Sequence, residues 1–270
     1  YDMAVLATAA LGKKAEVLDM ELERGGPSYT WETLRLLRSR YPEDELWLLM
    51  GSDMFLTLQD WREPRQVMAL ARIGAFSRME SGEADAFARQ KAFLEREYGA
   101  DVTVIPNPQA VELSSTEVRQ ALAQGGGEAL LPPAVYGYVL REKLYGTHKT
   151  LTGLTPDELR PIALSCLKPK RMPHVLGTEQ EAVRLVRRYG GDETQARIAA
   201  LLHDCTKKLD MAEQLALCAA YDIPLDELEQ RALKLLHSKT GAAVARRVFG
   251  VEDAVYDAIW YHTTGKPDMT

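Results

Sequence analysis

Apolar residues recur along this chain in two rhythms, and the change between them falls near residue 146. Before it, short apolar runs at 46–50, 73–77 and 102–105, with an apolar–acidic alternation at 17–23, read as strands. Three-and-four spacing fills the intervals at 30–40, 54–58 with 64–71, and 84–98. Strand alternating with helix predicts a parallel sheet covered on both faces, with ligands held outside the carboxyl ends of its strands. Later, strand signals stop. Segments 157–166, 174–189, 192–209, 211–221, 225–237, 239–249 and 252–262 carry helical spacing, with Thr155-Pro156 opening one helix and Gly190-Gly191 and Gly250 closing others. An orthogonal helical bundle is expected there. Residues 146–156 hold two glycines, four threonines and a proline, which places a linker at 147–156 between domains at 1–146 and 157–270.

Composition adds limits. The 270 residues suit two units, each large enough for its own core, and 46% hydrophobic with 27% charged residues is ordinary for a globular protein. A net charge of -6 argues against broad nucleic-acid binding while leaving room for a local basic pocket. No apolar run approaches the ~20 residues that span a bilayer, and the start lacks a secretory lead, so a cytoplasmic protein without membrane partners is expected. Cys166, Cys205 and Cys218 are odd in number and form no C-x-x-C pair, which predicts buried, reduced thiols and no disulfide framework or structural zinc.

Two stretches of the first half carry candidate chemistry. In L-L-M-G-S-D, Gly51 lets the backbone turn close to a ligand at a strand end and Asp53 projects a carboxylate into the crevice. Trp61 follows, either at that edge or as a core or rim aromatic. In V-E-L-S-S-T-E-V-R, Ser114, Ser115 and Thr116 gather hydroxyls and free N–H groups at a helix start, with Arg119 one turn in. Ser114 and Glu117 also spell a capping box, and both readings stay open.

The second half turns on I-A-A-L-L-H-D-C-T-K. Asp204 lies in an apolar helical run, where a carboxylate is costly unless paired or metal-bound. A single histidine in such a domain is usually a cap, a satisfied core residue or a surface residue, as His148 in the linker is read. His174, His203, His237 and His262 on separate helices, one followed at once by Asp204, are a different matter. Imidazole and carboxylate suit a divalent transition metal, Asp204 can bridge two ions, and the lack of thiolates favours a catalytic site over structural zinc.

Segments P-S-Y-T-W-E-T-L, L-L-M-G-S-D, W-R-E-P, E-L-S-S-T-E-V-R and V-Y-G-Y-V-L-R-E-K-L-Y-G together resemble bacterial nicotinate-nucleotide adenylyltransferases. The resemblance implies transfer of AMP from ATP, with Mg, to nicotinate mononucleotide on a Rossmann-like sheet. It implies that Ser28, Tyr29, Thr30 and Trp61 hold the mononucleotide, that Asp53 faces the nucleotide, and that Ser115, Thr116 and Arg119 meet the ATP phosphates. Likewise K-R-M-P-H-V-L-G-T-E, L-L-H-D-C-T-K, L-H-S-K-T-G-A and Y-H-T-T-G-K-P-D-M-T resemble the HD-domain symmetrical diadenosine tetraphosphate hydrolases. That resemblance implies metal ligation by His174, His203, Asp204, His237 and His262, with Asp204 bridging two ions, iron being the expected metal. Attack of a metal-activated water on the polyphosphate would give two ADP; Lys207 faces a phosphate or is simply solvated.

The resulting expectation is an α/β Rossmann-like nucleotidyltransferase domain followed by an all-α HD-type helical domain, in a fragment of a bifunctional enzyme whose partners are small nucleotides. A homodimer is compatible with it. The alternative keeps the HD phosphohydrolase with another nucleotide as substrate and makes the first half a binding module. Two departures bear on both. No histidine precedes His148, so the G-G-x-F-D-P-x-H-x-G-H loop of the transferases is missing and poor adenylyl transfer is expected of the chain as given, through truncation or lost activity. Asp268 lies too near Y-H-T-T-G to supply the last metal-binding Asp of HD proteins, so weaker occupancy of one metal position is expected.

Overall fold

The apolar runs at 46–50, 73–77 and 102–105 become β1 (Trp47–Met50), β2 (Arg72–Ser77) and β3 (Val102–Pro106) in a computed structural model that describes residues 1–77, 83–107 and 113–267. The strands pair in parallel in the order β1-β2-β3, with Trp47 opposite Arg72 and Ile73 opposite Val102. Ile73 and Ala75 of the central strand are fully buried, and an added Cβ on Gly74 would lie 2.6 Å from the Leu49 side chain. The alternation at 17–23 does not form a strand: Met20–Arg24 is helical. Its residues, Met-Glu-Leu-Glu-Arg, are good helix formers and none is β-branched, so local preference overrides the short alternating pattern.

Two compact units result, Leu18–Leu113 and Tyr1–Val17 with Ser114–Thr270. Helix α1 (Asp2–Ala7) belongs to the second. The first carries the sheet with α2 (Met20–Arg24), α3 (Thr30–Arg40), α4 (Ser52–Leu56), α5 (Pro64–Leu70) and α6 (Glu83–Tyr98). Its core sets the Phe55 and Phe87 rings 4.9 Å apart among Leu58, Val67, Ile73 and Leu94.

The helical unit continues with α7 (Ser115–Ala123), α8 (Pro133–Arg141), α9 (Pro156–Ser165), α10 (Met172–Tyr189), α11 (Glu193–Leu202), α12 (Met211–Ala220), α13 (Leu233–Phe249) and α14 (Asp253–Tyr261). Reciprocal capping boxes start α9 (Thr155 with Glu158) and α12 (Asp210 with Glu213), while the Asp192 side chain caps α11. Leu159, Ile162, Val175, Leu201, Leu202 and Ile259 form the centre of the core.

Two helix expectations change. The one at 192–209 ends at Leu202, where the chain turns through the His-Asp pair. Those at 225–237 and 239–249 give way to a short 3-10 turn, Glu229–Arg231, and one continuous α13. Its interior polar residues cause no break because the Ser238 hydroxyl donates to the Leu235 carbonyl of the same helix and the Thr240 hydroxyl is satisfied by Gln214 Oε1.

The unit boundary also falls away from 147–156, since α8 packs directly on α9. Gly137 makes that crossing close: an added Cβ would sit 2.0 Å from the Pro161 carbonyl oxygen. Thr147 is buried and donates its hydroxyl toward the Leu144 carbonyl at 2.9 Å, so the expected linker begins inside a packed region. No described helix is long and apolar enough to cross a membrane.

Candidate functional site

At the end of α11 the apolar run that fills the core delivers His203 and Asp204 in succession. Asp204 is fully buried, and each carboxylate oxygen faces its own pair of histidines. Oδ2 lies 3.3 Å from His203 Nε2 and 3.9 Å from His174 Nε2; Oδ1 lies 3.3 Å from His237 Nε2 and 3.9 Å from His262 Nε2. Within the pairs, His174 and His203 approach Nε2 to Nε2 at 3.2 Å, and His237 and His262 at 3.1 Å. Four helices, α10, α11, α13 and α14, thus converge on one carboxylate.

A common local device aims three of the rings. His203, His237 and His262 each direct Nδ1 to the carbonyl three residues back, on Ala200, Lys234 and Ile259, at 2.7, 2.8 and 2.7 Å. A carbonyl only accepts, so each Nδ1 carries a hydrogen and each ring turns its Nε2 inward. His203 and His262 also cap the C-termini of α11 and α14, where terminal carbonyls favour positive charge.

This arrangement fits divalent ions. Two ligands at about 2.1 Å from one metal stand roughly 3.0–3.4 Å apart for right-angle to tetrahedral geometry; the Nε2 pairs at 3.2 and 3.1 Å and the 3.3 Å contacts of His203 and His237 to Asp204 fall in that range, while His174 and His262 stand 3.9 Å from Asp204. The Nε2 atoms of His237 and His262 face each other at 3.1 Å, and His237 Nε2 also has Lys207 Nζ at 3.0 Å. Asp204 Oδ1 is buried without a hydrogen-bond partner, although the Lys207 ammonium is 3.3 Å away, because neither Lys207 nor His237 meets it in hydrogen-bond geometry. Such a group is costly to leave unmade. Two sets, His174 with His203 and Asp204, and Asp204 with His237 and His262, could each hold an ion. Cys205 points elsewhere, toward the Gly241 carbonyl, and burial pushes its thiol well up.

Electrostatics favour the neutral form of His174 and His262 beside an ionised carboxylate. Burial alone would raise the Asp204 pKa, but His203, His237 and the Arg171 guanidinium outweigh it and hold it well below the carboxylate range. Burial pushes His262 down to about 4 and, with the charge of Arg171, lowers His174. The Arg171 Nε donates to Asp204 Oδ2, and Lys207 Nζ reaches His237 Nε2 at 3.0 Å.

Buried polar groups fix the surroundings. The Thr206 hydroxyl donates to the His237 carbonyl at 3.0 Å, the Gln214 amide donates to the Thr206 carbonyl at 2.7 Å, and the Thr240 hydroxyl donates to Gln214 Oε1. Across the bundle, buried Glu179 of α10 accepts from Arg160 of α9 and Arg197 of α11, which ties the helix of His174 to the helix leading to His203. Arg171, Gln214 and Glu179 were absent from the expectations. Arg171 and Glu179 both belong to the K-R-M-P-H-V-L-G-T-E segment, which assigns neither a role, and Gln214 carries no local signal.

The residues expected to face nucleotides fall in two groups. In the sheet-bearing unit, Ser28 and Asp53 are exposed, while Tyr29, Thr30 and Trp61 are half-buried. The Arg62 guanidinium stands 4.7 Å from the Tyr29 ring centre, so the Tyr29 segment and the Trp61 corner meet. Trp61 also packs against the core, combining its two readings. Ser115, Thr116 and Arg119 are exposed on α7 in the other unit. Ser114 and Glu117 form the reciprocal capping box, whose hydrogen bonds hold the Glu117 carboxyl low. Residues 111 and 112 of that motif, and Asp268, lie outside the described residues. All three cysteines are buried and free, as expected.

Comparison with known proteins points the same way in both halves. The HD domain profile matches residues 171–269. The "probable nicotinate-nucleotide adenylyltransferase" of Chlorobium luteolum is 34% identical over 148 residues, covering 53% of this chain and 71% of that protein. The symmetrical bis(5'-nucleosyl)-tetraphosphatase of Bacillus subtilis is 36% identical over 116 residues, covering 41% of this chain and 62% of that protein. A crystal structure of a Clostridium acetobutylicum HD superfamily hydrolase, described as involved in NAD metabolism, is 36% identical over 43% of this chain and 62% of that one, with a TM-score of 0.41. With 34% identity across more than two thirds of such a relative, the chain belongs to the nicotinate-nucleotide adenylyltransferase family, and it carries an HD domain over residues 171–269.

Proposed function

We propose that this chain is part of a bifunctional nucleotide enzyme in which the HD domain hydrolyses diadenosine tetraphosphate to two ADP and the sheet-bearing half serves adenylyl transfer to nicotinate mononucleotide. The observation that carries the hydrolase reading is the division of Asp204, one oxygen to each histidine pair. His174 with His203 would hold one divalent ion and His237 with His262 the other, Asp204 bridging them. Such ions supply Lewis acidity and lower the pKa of water enough for attack on phosphorus at neutral pH. The all-nitrogen-and-oxygen donor set suits first-row metals, iron among them.

The chain's own groups do the positioning. The carbonyls of Ala200, Lys234 and Ile259 fix Nδ1 as the hydrogen-bearing nitrogen of three rings and leave Nε2 facing Asp204. Lys207, half-exposed beside Asp204 and His237, neutralises phosphate charge on the open side. In the other half, Ser28, Tyr29, Thr30 and Trp61 are the proposed mononucleotide contacts and Asp53 the nucleotide-facing carboxylate. Ser115, Thr116 and Arg119 would meet the phosphates of Mg-ATP, their free N–H groups and positive charge lying at the start of α7.

Turnover of a nucleotide panel by metal-loaded protein tests the hydrolase reading. ADP as the sole product from diadenosine tetraphosphate is expected, with activity lost in His203→Ala. A clear preference for another nucleotide, or full metal content and activity in that variant, would refute it. Titration with nicotinate mononucleotide beside an adenylyl-transfer assay tests the other half, and no binding at millimolar ligand would remove it.

A further inference from the structure

We propose that Arg171 and Lys207 form a two-cation clamp over the metal centre that selects substrates with at least two linked phosphoryl groups. This inference rests on the proposed hydrolase reading. Arg171 and Lys207 are placed symmetrically about Asp204: the guanidinium Nε meets Oδ2 at 2.5 Å, and the ammonium lies 3.3 Å from Oδ1. Each carboxylate oxygen therefore has one histidine pair and one cation.

Exposure shows which way this arrangement opens. Side-chain exposure is 46% for His174, 38% for Lys207 and 35% for Arg171, against 11% for His203, 3% for His237 and 0% for Asp204. The two cations and His174 thus form the mouth, His262 at 21% stands at its edge, and His203, His237 and Asp204 form the floor. A groove lined by Pro173, His174, Gly177, Thr178 and Glu181 runs up to that mouth, and an added Cβ on Gly177 would meet no atom within 4 Å.

Ions seated between Asp204 and the histidine pairs would repel both cations from the carboxylate. Arg171 has the means to turn outward, because its Nη1 and Nη2 atoms have no hydrogen-bond partner among the described residues. A guanidinium fork matches two phosphoryl oxygens, whereas an ammonium acts as a point charge. One phosphoryl group can satisfy the fork or the ammonium, on one side of Asp204. A polyphosphate chain laid across the mouth can satisfy both, and its charge replaces the carboxylate charge that the ions take up.

Inorganic pyrophosphate and orthophosphate are the probes, titrated calorimetrically into metal-loaded wild type, Arg171→Gln and Arg171→Lys, with metal content measured for each. The loss of a charge-assisted hydrogen bond predicts pyrophosphate binding about tenfold weaker in Arg171→Gln. Orthophosphate should weaken by less than about threefold, Arg171→Lys should recover part of the loss, and metal content should stay at the wild-type level. Unchanged pyrophosphate affinity, or equal losses for both anions, overturns the clamp. So does a fall in metal content that accounts for the loss, which would make Arg171 a support for Asp204 alone. A wild type that holds no metal would instead overturn the hydrolase reading itself.

Discussion

His237 and His262 face each other Nε2 to Nε2 at 3.1 Å while each commits its Nδ1 hydrogen to the carbonyl three residues back. Rings so arranged aim both Nε2 atoms at one point, where a divalent ion would replace the direct contact and its removal would restore it. Chelation of the loaded protein should therefore lower its melting temperature, and readdition of a first-row divalent ion should recover it. Identical melting with and without chelator would count against ion binding between these rings.

Single substitutions should separate the two positions. His203→Ala removes a ligand from the His174 side only, so one ion is expected to remain. Asp204→Asn removes the bridging charge, so neither should be held tightly. Metal analysis of the two variants distinguishes them, and equal loss from both would argue against two separable positions.

The pH response follows from the direction of the histidine shifts. In the folded chain the His262 pKa is pushed to about 4, below its ordinary value of 6.5, chiefly by burial, against the opposing Ile259 carbonyl hydrogen bond and the Asp204 charge. Between those values the unfolded chain binds the proton and the folded chain does not, so stability falls as pH drops through that window. Metal affinity should fall over the same range as protons compete for Nε2. Denaturation of chelated protein from pH 7 to pH 4 measures the first effect, and His262→Asn should flatten the profile.

Gln214 connects the His-Asp turn to α13 through Thr206 and Thr240. Gln214→Ala leaves buried groups unpaired and should cost about 1–3 kcal/mol, read by chemical denaturation. If the network also positions His237, this variant should weaken the ion on the His237–His262 side and spare the other.

In the sheet-bearing unit, Asp53 is exposed and Trp61 is packed against the core. Asp53→Asn should change stability by less than about 0.5 kcal/mol yet weaken nucleotide binding. Trp61→Ala should lower both. Calorimetric titration with nicotinate mononucleotide, set beside melting curves, checks the contrast; unchanged binding in both variants would remove this edge as a site.

Much of this protein was determined by residue order alone. The runs at 46–50, 73–77 and 102–105 are long enough and apolar enough to specify strands, and helical spacing marked most later elements because core-facing stripes repeat locally. The histidines were legible for a chemical reason: a carboxylate in an apolar run demands partners. Other features depended on groups distant in the chain. The alternation at 17–23 is short enough for helix preference to win. The threonine- and glycine-rich stretch hides a buried Thr147 and an α8–α9 crossing that Gly137 permits only because Pro161 lies opposite. Only the tertiary structure decided which histidine faces which oxygen of Asp204, and that Arg171 shares Oδ2 with one pair while Lys207 stands beside Oδ1 with the other. Those relations arise where four helix ends meet, and the spacing of residues along one helix carries no information about the approach of another.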